Sequence, residues 1–393
     1  MKANYSLASS TWDHQEIAAI KQVIESGKYS MGEFVVKFES QFANYIGSKY
    51  AVMVNSGSSA NLALLSACRF QDQPKLNPGD EIIVPAVSWS TTYYPVNQVN
   101  CVLNFVDIDS NTLNIDVNKI EAAINSKTKA IFVVNLLGNP ADWSALAKIA
   151  AEHKLILLED NCESLGAEYE SKKSGTFGLG GTFSTFFSHH ISTMEGGLIA
   201  TDDLKLYETM KSIRAHGWTR DLPDTNHVYN KTGDKWDDLF RFVIPGYNLR
   251  PLEMEGAIGS IQLGKLPDFI SERRKNAEYF KSQMEKFPNF QTQTEVGKSS
   301  WFGFSLLLTG ALKGRRTNLV SRLESAGIDS RPIVTGNFTK NPVIKHLVHA
   351  PIPNLPIADS IHEDGLFIGN HHFDLKNEID RFLEVITDFE KEI

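Results

Sequence analysis

Two adjacent histidines, His189 and His190, stand inside the stretch FFSHHISTMEGG, residues 186–197, which closes on a Glu-Gly-Gly turn. Histidine titrates near neutrality, so such a residue can take a proton and hand it back within one reaction cycle. No lysine occurs between Lys173 and Lys205, so this segment offers no amine for covalent attachment of a carbonyl compound. On its own the pair reads as incidental histidines in a polar loop. For His190 packing or hydrogen bonding is the expected part, because successive residues of an extended chain point to opposite faces.

Three other stretches carry residues suited to a flat, phosphorylated ring. NSGSSANLALLSA (55–67) puts Gly57 and Ser58 at the mouth of a helical pattern, where free amides and a hydroxyl suit a phosphate dianion. The competing reading makes Ser58 a helix cap only. LILLEDNCESLGA (155–167) ends an apolar run with Glu159, Asp160 and Glu163. An acid there can cap a helix, or it can hold a proton on a pyridine nitrogen and make the ring an electron sink. Trp89, in PAVSWSTTYYP (85–95), offers a stacking surface if it is not simply core. Arg220, Arg250 and Arg331 are candidates for carboxylate or diphosphate contacts, with surface ion pairs as the alternative. His216, in AHGWTR, suits either a ligand contact or a structural bond.

These residues need a scaffold, and residues 50–200 alternate short apolar runs with helical patterns. Strands are expected at 51–55, 81–85, 102–108, 130–136, 155–160, 181–187 and 196–202, with helices at 58–70, 116–126 and 142–153. Runs this apolar suit a mainly parallel α/β sheet covered on both faces, with ligands beyond the carboxyl ends of its strands. After residue 250 the pattern changes to a long helix that Pro267 should kink or restart, then a smaller α+β domain. Two domains are therefore expected, 1–250 and 251–393, consistent with a length of 393 residues.

A net charge of −8 argues against nucleic acid as partner, and no apolar run is long enough for a membrane span or a signal peptide. Three cysteines, Cys68, Cys101 and Cys162, lie more than thirty residues apart, which suits no metal site, iron–sulfur cluster or disulfide framework and points to a cytoplasmic protein. FGLGG (177–181) lacks the spacing of a dinucleotide loop, and neither GxSxG nor HExxH occurs.

SGSSAN, VSWSTT, EDNCESLGA, GTFSTFFSHHISTMEGG, AHGWTR, GYNLRPLEMEGAIG and RRKNAEYF, in this order over most of the chain, resemble the sugar aminotransferase family of pyridoxal-phosphate enzymes. The resemblance implies the aspartate-aminotransferase fold, type I, with a mainly parallel mixed seven-stranded sheet domain and a smaller C-terminal α+β domain. It implies that Gly57, Ser58 and Ser184 hold the cofactor phosphate, Trp89 stacks on its ring, Asp160 pairs with the ring nitrogen, and Glu163 lies near the ring hydroxyl. It also implies a homodimer with shared active sites, to which Asn248 and Arg250 contribute across the interface. Aminotransferases of this family carry their anchoring lysine six residues before the glutamate of the Glu-Gly-Gly turn, and here that position is His189.

Histidine at this place is similar to a small branch, the nucleotide-sugar 3-dehydratases. For a histidine that cannot hold the cofactor covalently, the resemblance implies pyridoxal 5'-phosphate passing to free pyridoxamine 5'-phosphate at the expense of L-glutamate. GDP-4-keto-6-deoxy-D-mannose would then condense through its C4 ketone. His189 would remove a proton from the cofactor and return one to the departing C3 hydroxyl, and hydrolysis would release a 4-keto-3,6-dideoxy sugar and ammonia. The scattered cysteines favour this route over a relative that relies on an iron–sulfur cluster. An aminotransferase using another lysine and a non-catalytic nucleotide-sugar binder remain the alternatives.

Overall fold

The structure is a computed structural model and describes residues 5–392. Seven strands form its main sheet: β1 (Tyr50–Val54), β2 (Glu81–Pro85), β3 (Val102–Val106), β4 (Thr128–Val134), β5 (Ile156–Asp160), then, after the small hairpin of β6 (Glu168–Tyr169) and β7 (Lys172–Lys173), β8 (Gly180–Ser184) and β9 (Gly197–Thr201). Their order is β1-β9-β8-β5-β4-β2-β3, and only β9 runs antiparallel to its neighbours, β1 and β8. Each expected strand is present within a few residues.

The apolar runs follow from burial on both faces. Ile82 belongs to one core and the adjacent Ile83 to another, as the alternation of a strand requires. Helices α1 (His14–Ser26), α2 (Glu33–Ile46), α3 (Gly57–Cys68), α4 (Ser90–Gln98), α5 (Val117–Ala123), α6 (Trp143–His153) and α7 (Leu204–Arg214) cover the sheet or its margins. The short α8 (Lys235–Leu239) follows in a segment rich in exposed aromatic side chains. Helix α1 opens with a capping box between Asp13 and Glu16, a sign visible in the text TWDHQE. Helix α4 was hidden by Pro95 in its interior.

The long α9 (Glu253–Met284) runs unbroken through Pro267, so the helix does not restart there. Leu266 and Ile270 on either side are buried in the core beneath α2, so tertiary packing holds the helix across the missing amide. The remaining elements are β10 (Phe290–Gln291), β11 (Gly303–Leu308), α10 (Arg316–Ser325), β12 (Ser330–Arg331), α11 (Pro356–Asp364), β13 (Gly365–Gly369) and α12 (Lys376–Glu390). Here an antiparallel sheet of order β10-β11-β13-β12 has its own core, which also takes in Tyr5 from the N-terminal segment. No helix among the described residues is long and apolar enough to cross a membrane.

Candidate active site

The candidate residues converge beyond the carboxyl ends of the parallel strands. Asp160 ends β5 and is buried. Its Oδ2 accepts from Asn61 Nδ2 at 2.9 Å and from Thr92 Oγ1 at 2.8 Å, and its Oδ1 accepts from the Cys162 amide at 3.1 Å. Asn61 is itself fixed by Thr182 Oγ1, which donates to its Oδ1 at 2.5 Å, and Thr92 is bonded to Ser88 Oγ at 2.8 Å. Helices α3 and α4 and strands β5 and β8 thus meet on one carboxylate, whose orientation is overdetermined. Sequence reasoning missed Asn61, Thr92 and Thr182, because their relevance comes from strand and helix adjacency.

Gly57 is the first residue of α3, and the cap is Ser56, whose hydroxyl accepts from the Ser59 amide at 3.1 Å. The reading of Ser58 as the cap is therefore corrected: Ser58 lies one residue inside the helix and is exposed. A Cβ on Gly57 would lie 2.7 Å from Ser184 Cβ and 3.0 Å from Cys162 Sγ, so only glycine allows β8 and the β5 turn to close on this helix mouth. Open amides beside the hydroxyls of Ser58 and Ser184 give this helix mouth the donors an anion would need. Trp89 precedes α4 and is 55% exposed, so it is a free flat surface and not core.

Strand β8 stops at Ser184, and residues 187–191 turn, so His189 and His190 do not alternate along an extended chain as expected. The His189 amide donates to the Phe186 carbonyl at 2.9 Å. Its half-buried ring packs edge-on to Phe302, 5.3 Å between centroids, with Nδ1 sealed from solvent and unpartnered. Burial, assisted by the charge of Arg273, holds its pKa down at about 4, which favours the neutral imidazole at pH 7. His190 is buried, donates from Nε2 to the Ser300 carbonyl at 3.1 Å, and also lies against Phe302, 5.7 Å away. Its part is packing and hydrogen bonding.

Glu163 Oε2 accepts from the Leu137 amide at 3.0 Å, and the Leu137 carbonyl accepts from the Phe302 amide at 3.0 Å. One backbone residue therefore links the acid after β5 to the ring that supports His189. Burial pushes the Glu163 carboxyl up to about 7, with the nearby Asp160 charge acting in the same direction. Glu159 serves the scaffold: its carboxylate accepts from the amides of Gly175, Phe177 and Gly178 at 2.5 to 2.9 Å. That bonding explains FGLGG, since a Cβ on Gly178 would stand 2.4 Å from the Leu157 carbonyl oxygen.

The remaining candidates lie on exposed segments. His216 has φ +65°, and its amide donates to the Tyr247 carbonyl at 2.7 Å; residues 215 and 248 form a bridge. Asn248 is exposed and accepts from Arg250 Nε at 3.0 Å. Leu249 between them accepts at its carbonyl from the Asn55 amide at 2.9 Å, next to the α3 cradle. Arg220 lies over the Trp218 ring at 4.1 Å and 3.4 Å from Asp221. Arg331 is exposed on β12, and the chain just beyond it reaches the site: Thr335 Oγ1 donates to the Ser88 carbonyl at 2.7 Å.

The donor set fits a phosphorylated pyridine: an anion cradle at Gly57, an open indole face at Trp89, a fixed carboxylate at Asp160 and an unanchored imidazole base. Fold and site together define a pyridoxal-phosphate-dependent enzyme of the aminotransferase fold. The model of the DegT/DnrJ/EryC1/StrS aminotransferase family matches residues 10–387, and the chain belongs to that family. It is 54% identical to GDP-4-keto-6-deoxy-D-mannose 3-dehydratase of Escherichia coli O55:H7, over 98% of this chain and 99% of the relative. A solved structure of the E. coli GDP-4-keto-6-deoxy-D-mannose-3-dehydratase with bound hydrated PLP superposes with a TM-score of 0.95 at 54% identity, covering 98% of this chain and 100% of that one. A crystal structure of GDP-4-keto-6-deoxymannose-3-dehydratase with a trapped PLP-glutamate geminal diamine gives the same TM-score, 0.95, and 54% identity, covering 97% and 100%.

Proposed function

We propose that the chain is a pyridoxal/pyridoxamine 5'-phosphate-dependent 3-dehydratase. It removes the C3 hydroxyl of GDP-4-keto-6-deoxy-D-mannose, with L-glutamate as amino donor, and yields the 4-keto-3,6-dideoxy sugar, 2-oxoglutarate and ammonia. The observation that carries this reading is His189, a neutral base packed on Phe302 in an interval that holds no lysine. The substrate and donor are supported by the 54% identity over nearly the whole chain and by the glutamate adduct trapped in the solved structure.

In this reading the cofactor, when bound, supplies the amino group and the electron sink. Gly57, Ser58 and Ser184 bind its phosphate, Trp89 covers its ring, and Asp160 keeps the ring nitrogen protonated. Glu163 meets the ring hydroxyl. His189, with Nδ1 sealed, uses Nε2 to take a proton from carbon and to give one to the departing C3 oxygen. His216, Arg220, Arg250 and Arg331 are the substrate-side residues.

Homodimerisation with shared sites, through which Asn248 reaches a neighbouring cofactor, is part of the same proposal. Exposed apolar side chains on the described surface, among them Phe187, Leu252, Phe240 and Trp236, support it. So is the division into a PLP-binding domain, 1–250, and a C-terminal domain, 251–393, supported by two sheets with separate cores. A cytoplasmic setting is supported by three unpaired cysteines.

Two measurements test the function. Protein loaded with pyridoxal phosphate and treated with borohydride should carry no label on lysine. Glutamate with GDP-4-keto-6-deoxy-D-mannose should release ammonia and 2-oxoglutarate in equal amounts. A labelled lysine with an amino-sugar product would make the chain an aminotransferase; no cofactor binding would make it a binder.

A further inference from the structure

The arginines of RRKNAEYF have no part in the chemistry above. Arg273 lies within α9, is 3% exposed, and forms no ion pair with a carboxylate among the described residues. Its Nη1 donates to the carbonyls of Asn370 at 2.6 Å, Phe302 at 3.2 Å and Trp301 at 3.4 Å, while Nε is buried and unpartnered. Asn370 completes a clamp, donating from Nδ2 to the carbonyls of Trp301 and Arg273 at 2.9 and 3.0 Å. Carbonyl oxygens satisfy N–H groups but do not cancel a full charge, and a guanidinium stays protonated even when buried. An unneutralised cation therefore stands behind the segment leading into β11, whose Phe302 supports His189 and whose Ser300 holds His190.

We propose that Arg273 is a positioning residue for the dehydration: it fixes the Trp301–Phe302 backbone against which His189 rests, and its charge keeps that imidazole unprotonated before the reaction and, once protonated, a ready proton donor. The chemistry rests on the dehydratase reading. The balance is one proton, moved from a carbon next to the cofactor ring to Nε2 and from there to the C3 oxygen as water leaves. The charged and titratable groups on the elements around the pair are Arg273 and Arg274 on α9, His371 and His372 after β13, Glu163 across Leu137, and Glu195 at the end of the same segment. Burial and then Arg273 lower both His189 and His190, and Arg274 adds to the effect on His190.

Cofactor-loaded full-length protein with ¹⁵N-labelled histidine, assigned with His189→Asn, provides a readout independent of turnover. In Arg273→Met the protonation midpoint of His189 should rise by about one pH unit or more, and the acid limb of kcat/KM should move up with it. Arg273→Lys keeps the charge but not the fork, so the midpoint should stay while kcat falls about tenfold or more, with KM for the sugar little changed. A folded Arg273→Met protein with an unmoved midpoint and acid limb overturns the proposal. If Arg273→Met does not fold, Arg273→Lys decides, and wild-type kcat in that variant overturns it. Should the wild-type protein release no ammonia, the dehydratase reading fails, whereas the histidine midpoint would still shift in Arg273→Met.

Discussion

Adjacent histidines in this protein have opposite employments, and environment decides which is which. His190 spends its Nε2 on the Ser300 carbonyl inside the core, whereas His189 is half-buried with its ring propped on Phe302. Replacing His189 by asparagine should leave cofactor binding, read from the visible spectrum, close to normal, because Asp160 and the α3 cradle are untouched. Turnover should fall by about two to four orders of magnitude, the usual worth of a positioned acid–base group. Undiminished ammonia release would remove His189 from the chemistry. The importance of His189 was legible only through the family resemblance, which puts an anchoring lysine six residues before the glutamate of that turn; the network that aims Asp160, through Asn61, Thr92 and Thr182, was not, since nothing in the chain's text marks residues 61, 92 and 182 as neighbours.

At the scale of elements, the turn after β4 joins the two sheets through a backbone contact that tolerates no side chain. Gly138 has φ +92°, and a Cβ there would lie 2.7 Å from the Trp301 nitrogen and 2.9 Å from the Phe302 nitrogen. Gly138→Ala should cost about 3 kcal/mol or more of stability, from the left-handed backbone and from displaced chain that cannot yield. Because Phe302 would move, turnover should fall further than stability alone explains. Denaturant midpoints and kcat on the folded fraction would check both, and a midpoint within error of the wild type would reject the contact. All seven strands of the main sheet were readable as apolar runs because each is covered twice. Pro267 misled because a sequence rule about a missing amide carries no knowledge of Leu266 and Ile270 packing below it.

For the molecule as a whole, buried histidines and buried glutamates pull stability in opposite directions with pH. His189, His371 and His372 are held at about 4, and His190 well below its usual value, all chiefly by burial. Unfolded histidines gain protons below about 6.5, so each costs up to about 1.4 kcal/mol per pH unit as pH falls from there towards 4. Glu159, Glu163 and Glu255 are pushed up to about 7 by burial, so they contribute stability that is present below about 4.5 and lost as pH rises through 7. The two sets largely offset each other between 4.5 and 6.5. Stability should therefore decline gently over that interval and steeply below it, where Asp72, held low by the hydrogen bond and charge of Lys205, and Asp359, held low against its burial by hydrogen bonds from Asn337 and Lys340, also lose their contribution. Urea midpoints across the pH range test this; a steep loss starting at 6.5 would mean the glutamates are already ionised. Taken alone, the sequence determined the α/β class, because apolar periodicity is a local property of the chain, and its ordered motifs carried the family resemblance that implied the cofactor chemistry and the place of the missing amine. Tertiary structure alone decided which side chains aim Asp160, that His190 turns into the core while His189 rests on Phe302, and that an unpaired guanidinium stands behind them. Those depend on distances between segments far apart in the chain, 68 residues for Thr92 and Asp160 and 110 for His190 and Ser300, and such distances exist only once the chain has closed on itself.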